Sequence, residues 1–328
     1  MGKAMAFFRG DIIPLEDAKI SIMTHGFNYG TGCFEGIRGY WNEQHGEMYI
    51  LHMAEHFRRM AKNAKILFMQ LPDTIEGLCR TTIDLARATG FHQDIYLRPT
   101  LYKEDEIIGV RLHGLKDAFH IYAAPMGPYI EIDRGLKLGT SSWRRIDDTA
   151  VPARAKIIGA YINSALCKTE AVMNGFDEGL FLNEDGHVCE GSAENLFLVR
   201  DGVLVTPGVS DNILEGITRT SVIEIAEREL GLKCVHRTID RTEIYISDEL
   251  FICGTGAQIA WVSEIDHRSI GNGQIGPISQ KIRDIYFRAV RGEIPRYQSW
   301  LTPVYGTGGI KAPEKPFAST SVRKVAAG

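Results

Sequence analysis

Several things are missing from this chain of 328 residues, and each absence removes a class of function. The six cysteines (Cys33, Cys79, Cys167, Cys189, Cys234, Cys253) form no CxxC pair, a scatter that fits reduced, packed thiols and not a disulfide framework or a zinc site. His25, His52, His56 and the other histidines lack metal-ligand spacing, so core or surface roles are expected of them. Clusters of Lys and Arg are also absent, and a formal net charge of -4 is the wrong sign for gripping a phosphate backbone. No apolar stretch approaches membrane-spanning length, and no apolar h-region follows the start Met1-Gly2-Lys3. Met1-Gly2 is not a myristoylation signal, because Ala6 stands where Ser or Thr is required. No repeat is present. Together these absences predict a cytoplasmic protein whose partners are small molecules, with no nucleic acid, membrane or metal.

What is there describes an ordinary globular chain, 44% hydrophobic and 24% charged. Its length exceeds what one hydrophobic core organises, so two domains are expected. Strand-like runs with Gly- and Asn-rich turns open the chain at 5–9, 12–14, 36–41 and 47–51. Helical spacing begins at Met53, recurs at Met60, Ala64 and Leu67, and stops before Pro72; a second helix spans 74–89, closed by Gly90. Strands at 94–101 and 118–125 complete a smaller α/β domain, 1–125. Met126 to Gly135 reads as a connector. A larger domain, 136–300, follows, with hairpin signals Asp185-Gly186 and Asp201-Gly202 and helices at 159–174 and 218–230. From 301 to 328 the chain has no hydrophobic period and is expected to be a flexible tail. Gly271-Asn272-Gly273-Gln274-Ile275-Gly276 satisfies GxGxxG but precedes no βαβ unit, so it reads as a turn.

Two charged residues stand out against this background. Lys156 lies in the run Ala155-Lys156-Ile157-Ile158-Gly159-Ala160-Tyr161, and an amine in apolar surroundings loses its charge readily and becomes a nucleophile toward a carbonyl. Glu190 sits in Cys189-Glu190-Gly191-Ser192-Ala193-Glu194-Asn195-Leu196-Phe197, whose neighbours give little polar shelter, so its charge needs a cationic partner. A protonated pyridine nitrogen would be one, and the pair describes a pyridoxal 5'-phosphate site. Glu194 and Asn195 are expected to support the turn. A phosphate needs donors; a helix starting near Gly216 offers N–H groups at Ile217 and Thr218.

At these residues, and at Ile213-Leu214-Glu215-Gly216-Ile217-Thr218-Arg219, the chain resembles the fold-type IV (class IV) pyridoxal-phosphate aminotransferases, most closely the branched-chain amino acid aminotransferases, from about Phe8 to about Val290. The resemblance implies an α/β fold with mixed sheets, a smaller N-terminal and a larger C-terminal domain, and a site at their interface. It implies that Lys156 carries the cofactor and shuttles the substrate proton, Glu190 holds the ring nitrogen, and Tyr161 bonds the phenolic oxygen. Arg59, Leu214, Gly216, Ile217, Thr218 and Thr255 complete the cofactor set. For substrate it implies apolar walls from Phe34, Tyr161, Met126 and Val110, with Arg98, Tyr29 and Tyr129 receiving the distal carboxylate of 2-oxoglutarate. Tyr96 and the N–H groups of Thr255-Gly256-Ala257 would take the α-carboxylate, and Arg38 ends the Phe27 to Arg38 segment that resembles the family's substrate-selecting run. Met126 and Gly256 depart from well-known bacterial relatives, which carry Trp and often Ala there, and a wider pocket is the expected result.

The implied reaction moves the amino group of L-leucine, L-isoleucine or L-valine to 2-oxoglutarate, and the implied assembly is a homodimer or a multiple of it, because Tyr29 and Val110 serve a neighbouring subunit's pocket in the family. D-amino acid and (R)-amine transaminases and aminodeoxychorismate lyase share the fold type and are the alternatives; Arg98 with the Phe34 to Arg38 run argues against the lyase. A non-enzymatic binding protein would be favoured only by an incomplete set of cofactor ligands.

Overall fold

A computed structural model describes residues 2–127 and 134–306, so the expectations for Tyr129 and for 307–328 lie outside the described residues. The first sheet is built from β1 (Met5–Phe8), β2 (Asp11–Pro14), β3 (Gly32–Phe34), β4 (Ile37–Asn42), β5 (Glu47–Leu51), β6 (Ile95–Lys103) and β7 (Asp117–Pro125). All its pairings are antiparallel, and its centre is the long β6–β7 ladder running from Ile95 opposite Pro125 to Lys103 opposite Asp117. Strand alternation sends Ile95 and Leu97 into the core and puts Tyr96 and Arg98 on the other face.

The buried face packs on α2 (Met53–Ile66) and α3 (Ile75–Thr89), which follow the short α1 (His25–Tyr29). Met53, Phe57, Met60 and Ala64 recur at three- and four-residue steps and form the inward stripe of α2. The Thr74 hydroxyl caps α3 by accepting the Gly77 N–H at 3.1 Å, and Gly90, at φ 62°, ends it in the left-handed conformation that glycine adopts without a Cβ penalty.

The second sheet mixes parallel and antiparallel strands: β8 (Leu136–Arg144), β9 (Glu178–Leu182), β10 (Val188–Gly191), β11 (Asn195–Arg200), β12 (Val203–Thr206), β13 (Cys234–His236), β14 (Glu249–Gly254), β15 (Gln258–Ile265) and β16 (Arg268–Ser269). Its central strands are apolar on both faces. Leu196 and Leu198 of β11 enter one cluster, while Phe197 and Val199 enter another beneath α5 (Ile217–Leu230) and α7 (Pro277–Val290). Phe197 also stacks on its cross-strand partner Phe251, with ring centroids 5.1 Å apart. The remaining helices are α4 (Tyr161–Met173) and the one-turn α6 (Arg241–Ile244). Gly271 and Gly273 take positive φ in the turn before α7, and no strand intervenes.

One expectation fails at the start of the supposed tail. Leu301–Pro303 forms β17, an antiparallel edge strand on β5 of the first sheet. Val304 is fully buried, its N–H and that of Tyr305 are accepted by the Glu47 carboxylate at 2.9 and 2.7 Å, and its carbonyl accepts Arg87 Nε at 2.6 Å. A strand of three residues carries no periodicity, so its pairing is visible only in three dimensions.

Candidate active site

A cavity of about 690 Å³ lies where the exposed face of β6–β7 meets the second sheet and the N-terminus of α5. Lys156 enters it from a segment tied to the first sheet. Phe34 N–H donates to the Lys156 carbonyl (3.1 Å), Ile158 N–H to Gly32 (2.8 Å) and Gly159 N–H to Gly30 (3.1 Å). Gly30, at φ 66°, has to be glycine for a second reason: a Cβ there would stand 2.6 Å from Gly159 Cα. The Lys156 amine bonds the Tyr161 hydroxyl at 2.6 Å and lies 5.1 Å from the Phe34 ring centroid. Two of the expected cofactor residues are therefore in direct contact.

Glu190, at the end of β10, is buried as expected, but its surroundings correct the expectation that it lacks polar shelter. Arg145 pairs with Oε1 at 2.9 Å, and Oε2 accepts Asn195 Nδ2 and the Leu214 N–H, each at 3.0 Å. Burial raises this carboxyl above its ordinary value, while Arg145 and then the Leu214 N–H oppose the rise. Arg145 comes from the loop after β8 and Asn195 opens β11, so neither role is visible from spacing along the chain. Glu194 supports the turn by accepting the Ala193 N–H (3.0 Å), and burial, then Glu178, raises its carboxyl above the ordinary carboxylate range.

Gly216 precedes α5 without any side-chain cap, and a Cβ at that position would collide with the Asn195 side-chain oxygen. The backbone thus reaches the cavity with the first N–H groups of α5, at Ile217 and Thr218, at the positive end of the helix dipole. Arg59 lies beside them, its Nη1 donating to the Glu215 carbonyl at 2.9 Å. Its Nε and Nη2 clamp Glu35 at 2.8 and 2.5 Å, and His56 Nδ1 reaches the same carboxylate at 2.7 Å. Burial alone would raise the Glu35 carboxyl; Arg59 outweighs it, with His56, and holds it at about 2. Glu35 lies inside the Phe27 to Arg38 run without having been assigned a role, and His56 was expected only in a core or surface role. Arg58, by contrast, is an exposed helix charge paired with Glu55 at 2.9 Å.

Of the proposed cofactor set, Leu214, Thr218 and Thr255 line the same cavity as Lys156, Tyr161, Glu190 and Arg59. An amine, a buried carboxylate and an anion-accepting helix start around one space are the donor set that a pyridine aldehyde bearing a phosphate requires. Among the substrate candidates, Phe34, Tyr96, Arg98, Met126 and Gly256 also line it. Arg98 lies over the Phe34 ring, 4.4 Å from its centroid, and donates to the Tyr96 oxygen through Nε (3.0 Å) and Nη2 (2.6 Å). With its oxygen accepting from Arg98, the Tyr96 hydroxyl keeps its own hydrogen for a ligand. Tyr122, opposite Arg98 on β7, is a lining residue the sequence did not disclose.

Other candidates lie elsewhere. Arg38 turns away from the cavity; its Nη1 reaches the Gly256 carbonyl at 3.4 Å, and its Nη2 reaches those of Met126 and Gly127 at 3.2 Å. It braces the backbone behind the wall instead of facing the contents. Ala257 is buried just beyond the lining turn. Tyr29 and Val110 are exposed on the outer surface of their own chain. Among the described residues no group of His, Cys, Asp and Glu is arranged to hold a metal, and no helix is long and apolar enough to cross a membrane.

Comparison with known proteins supplies an independent line. Residues 32–265 match the family model described as amino-transferase class IV. A probable branched-chain-amino-acid aminotransferase of Aquifex aeolicus is 48% identical over 300 residues, covering 92% of this chain and 96% of the relative. Among solved structures, a branched-chain aminotransferase from Thermoproteus uzoniensis with norvaline superposes with a TM-score of 0.88 at 41% identity, over 93% of this chain and 100% of that one. The branched-chain amino acid aminotransferase of Thermobaculum terrenum, in its PLP form, gives 0.88 at 40%, over 92% and 99%.

Proposed function

From a chain that belongs to the class IV amino-transferases, we infer a pyridoxal 5'-phosphate-dependent branched-chain amino acid aminotransferase that passes the amino group of L-leucine, L-isoleucine or L-valine to 2-oxoglutarate. The observation that carries the reading is the convergence of the Lys156–Tyr161 hydrogen bond and the Glu190–Arg145 pair on one cavity roofed by Tyr96 and Arg98. When bound, the cofactor supplies an electron sink for the pair left on the substrate when its α-proton departs.

The chain's own groups do the rest. Lys156 would hold the cofactor covalently, and its amine, when free, would move the proton at the α-carbon. Tyr161 holds the amine's position, 2.6 Å away, and orients it. Glu190 would keep a proton at the ring nitrogen; burial raises its carboxyl, and Arg145 and then the Leu214 N–H restrain that tendency. The N–H groups of Ile217 and Thr218, with Thr255 and Arg59, hold the phosphate. The Tyr96 hydroxyl and the 255–257 turn take the α-carboxylate common to every substrate. Apolar side chains receive an aliphatic donor, while Arg98 serves the distal carboxylate of the acceptor in the same space, so turnover is ping-pong. Tyr29, Val110 and Tyr129 complete the pocket in a homodimer, whose subunits each divide into domains at the 126–135 connector. The protein works in the cytoplasm.

The test is a donor panel. Purified enzyme with 2-oxoglutarate and L-leucine, L-valine, D-alanine or (R)-1-phenylethylamine should form glutamate fastest with the branched L-amino acids. Faster turnover of D-alanine or the amine would overturn the specificity, and pyruvate released from aminodeoxychorismate would overturn the reaction class. Arg98→Ala should raise KM for 2-oxoglutarate roughly tenfold to a hundredfold, the scale of one charged contact, and change leucine's far less.

A further inference from the structure

His25 is fully buried in α1, yet the catalytic cavity does not reach it. Both ring nitrogens are engaged: Nδ1 lies 2.7 Å from the Thr31 hydroxyl and Nε2 lies 2.7 Å from the Gly109 carbonyl. A carbonyl only accepts, so in the neutral ring Nε2 carries the hydrogen and Nδ1 accepts from Thr31. Gly109 is bonded on its other side as well, its N–H donating to the Tyr29 hydroxyl oxygen at 3.2 Å. The Tyr29 ring packs against the His25 ring with centroids 4.7 Å apart, and the His25 N–H donates to the Asp105 carbonyl at 2.9 Å. Gly109 sits at φ 137°, where a side chain is strained. One buried imidazole therefore ties α1 to a surface loop at Gly109, a residue whose N–H also meets Tyr29.

The hydroxyl consequence follows from counting hydrogens. Tyr29 has one O–H, and its oxygen already accepts from Gly109, so the orientation left to the hydroxyl is that of a donor pointing outward. Beside it the loop displays Ile108 and Val110, 90% and 77% exposed. A hydrogen-bond donor flanked by aliphatic side chains suits a ligand with a carboxylate at one end and methylenes behind it. We propose that His25 is a positioning residue which, through the backbone carbonyl and N–H of Gly109, presents the Tyr29 hydroxyl as a donor to the distal carboxylate of an acceptor held in the cavity of a second copy of this chain. This rests on the dimeric aminotransferase reading above.

The experiment uses the holoenzyme. His25→Leu removes both ring bonds while filling the space, and His25→Gln keeps one donor and one acceptor. In His25→Leu, KM for 2-oxoglutarate should rise about tenfold, the scale of one lost carboxylate contact, with KM for leucine within about threefold and the cofactor absorbance unchanged. His25→Gln should recover most of the loss, and Tyr29→Phe should give the same split if His25→Leu does not fold. Mixing His25→Leu chains with chains that carry Lys156→Ala and an intact His25 should restore the acceptor KM, because the surviving lysines then face intact loops. An unchanged KM ratio, an equal rise for both substrates, or no recovery in the mixture would each overturn the proposal. Failure of the underlying reading looks different: wild-type enzyme would form no glutamate from leucine and 2-oxoglutarate.

Discussion

Glu35 and Glu190 are both buried carboxylates beside an arginine, and their acidities have been driven in opposite directions. Glu35 receives two contacts from one guanidinium in a fork and a third from the His56 ring, and is held at about 2. Glu190 receives a single guanidinium contact on one oxygen and two neutral donors on the other, and burial wins. The same residue pair can thus build a permanently ionised brace or an acid still able to share a proton, and the number of charged hydrogens aimed at the carboxylate decides which. In the proposed mechanism the brace would support the phosphate clamp and the acid would meet the ring.

The largest effect should come from the residue that belongs to neither acid. Lys156→Ala should lower kcat by roughly a thousandfold or more, since attachment and proton transfer are lost together, with an unchanged circular dichroism spectrum; a rate within tenfold of wild type would leave the two acids without a reaction to serve. Next, Glu190→Gln should cost about a hundredfold in kcat even at saturating cofactor, because the amide cannot take the charge that the ring nitrogen needs. Glu35→Gln should divide the other way, weakening cofactor retention while kcat recovers when cofactor is added in excess. Removing one partner of a buried pair should also cost about 3–5 kcal/mol of stability, measured by urea unfolding.

The pH response carries opposite signs at the two sites. The folded-state value of Glu35 is depressed, so its contribution is present above the ordinary 4.5 and is lost as pH falls toward about 2; Glu35→Gln should flatten that acid limb. The value of Glu190 is raised, so its contribution is full below 4.5 and fades as pH climbs through the folded value. The smallest effect is reserved for Arg58→Ala. That arginine neighbours Arg59 in sequence but pairs with Glu55 at the surface, and its loss should change stability by no more than about 0.5 kcal/mol and leave cofactor binding alone.

Much of this was legible along the chain because it is local. Lys156 and Tyr161 lie five residues apart, Glu190 lies within a short acid-bearing run, and Gly216 opens a helix, so their chemistry survives in one dimension. Periodicity also placed α2 and α3 and the hairpins of the second sheet. What escaped depends on distant segments meeting. Arg145 finds Glu190 across 45 positions and Glu35 finds Arg59 across 24, and neither partner has a spacing that announces it. Arg38 misled for a related reason: its strand faces it toward Tyr96, but a long side chain ends where acceptors are, and three backbone carbonyls lie behind the wall.

The late strand β17 ties synthesis to architecture. The first sheet begins at residue 5, but the hydrogen-bonding edge of β5 and the seat for Val304 are filled only by residues 301–305. During translation that half would emerge with one flank open until residues 301–305 follow. A chain cut at residue 300 would keep every group around Lys156 and still present a bare strand edge, so it should betray itself first by aggregation.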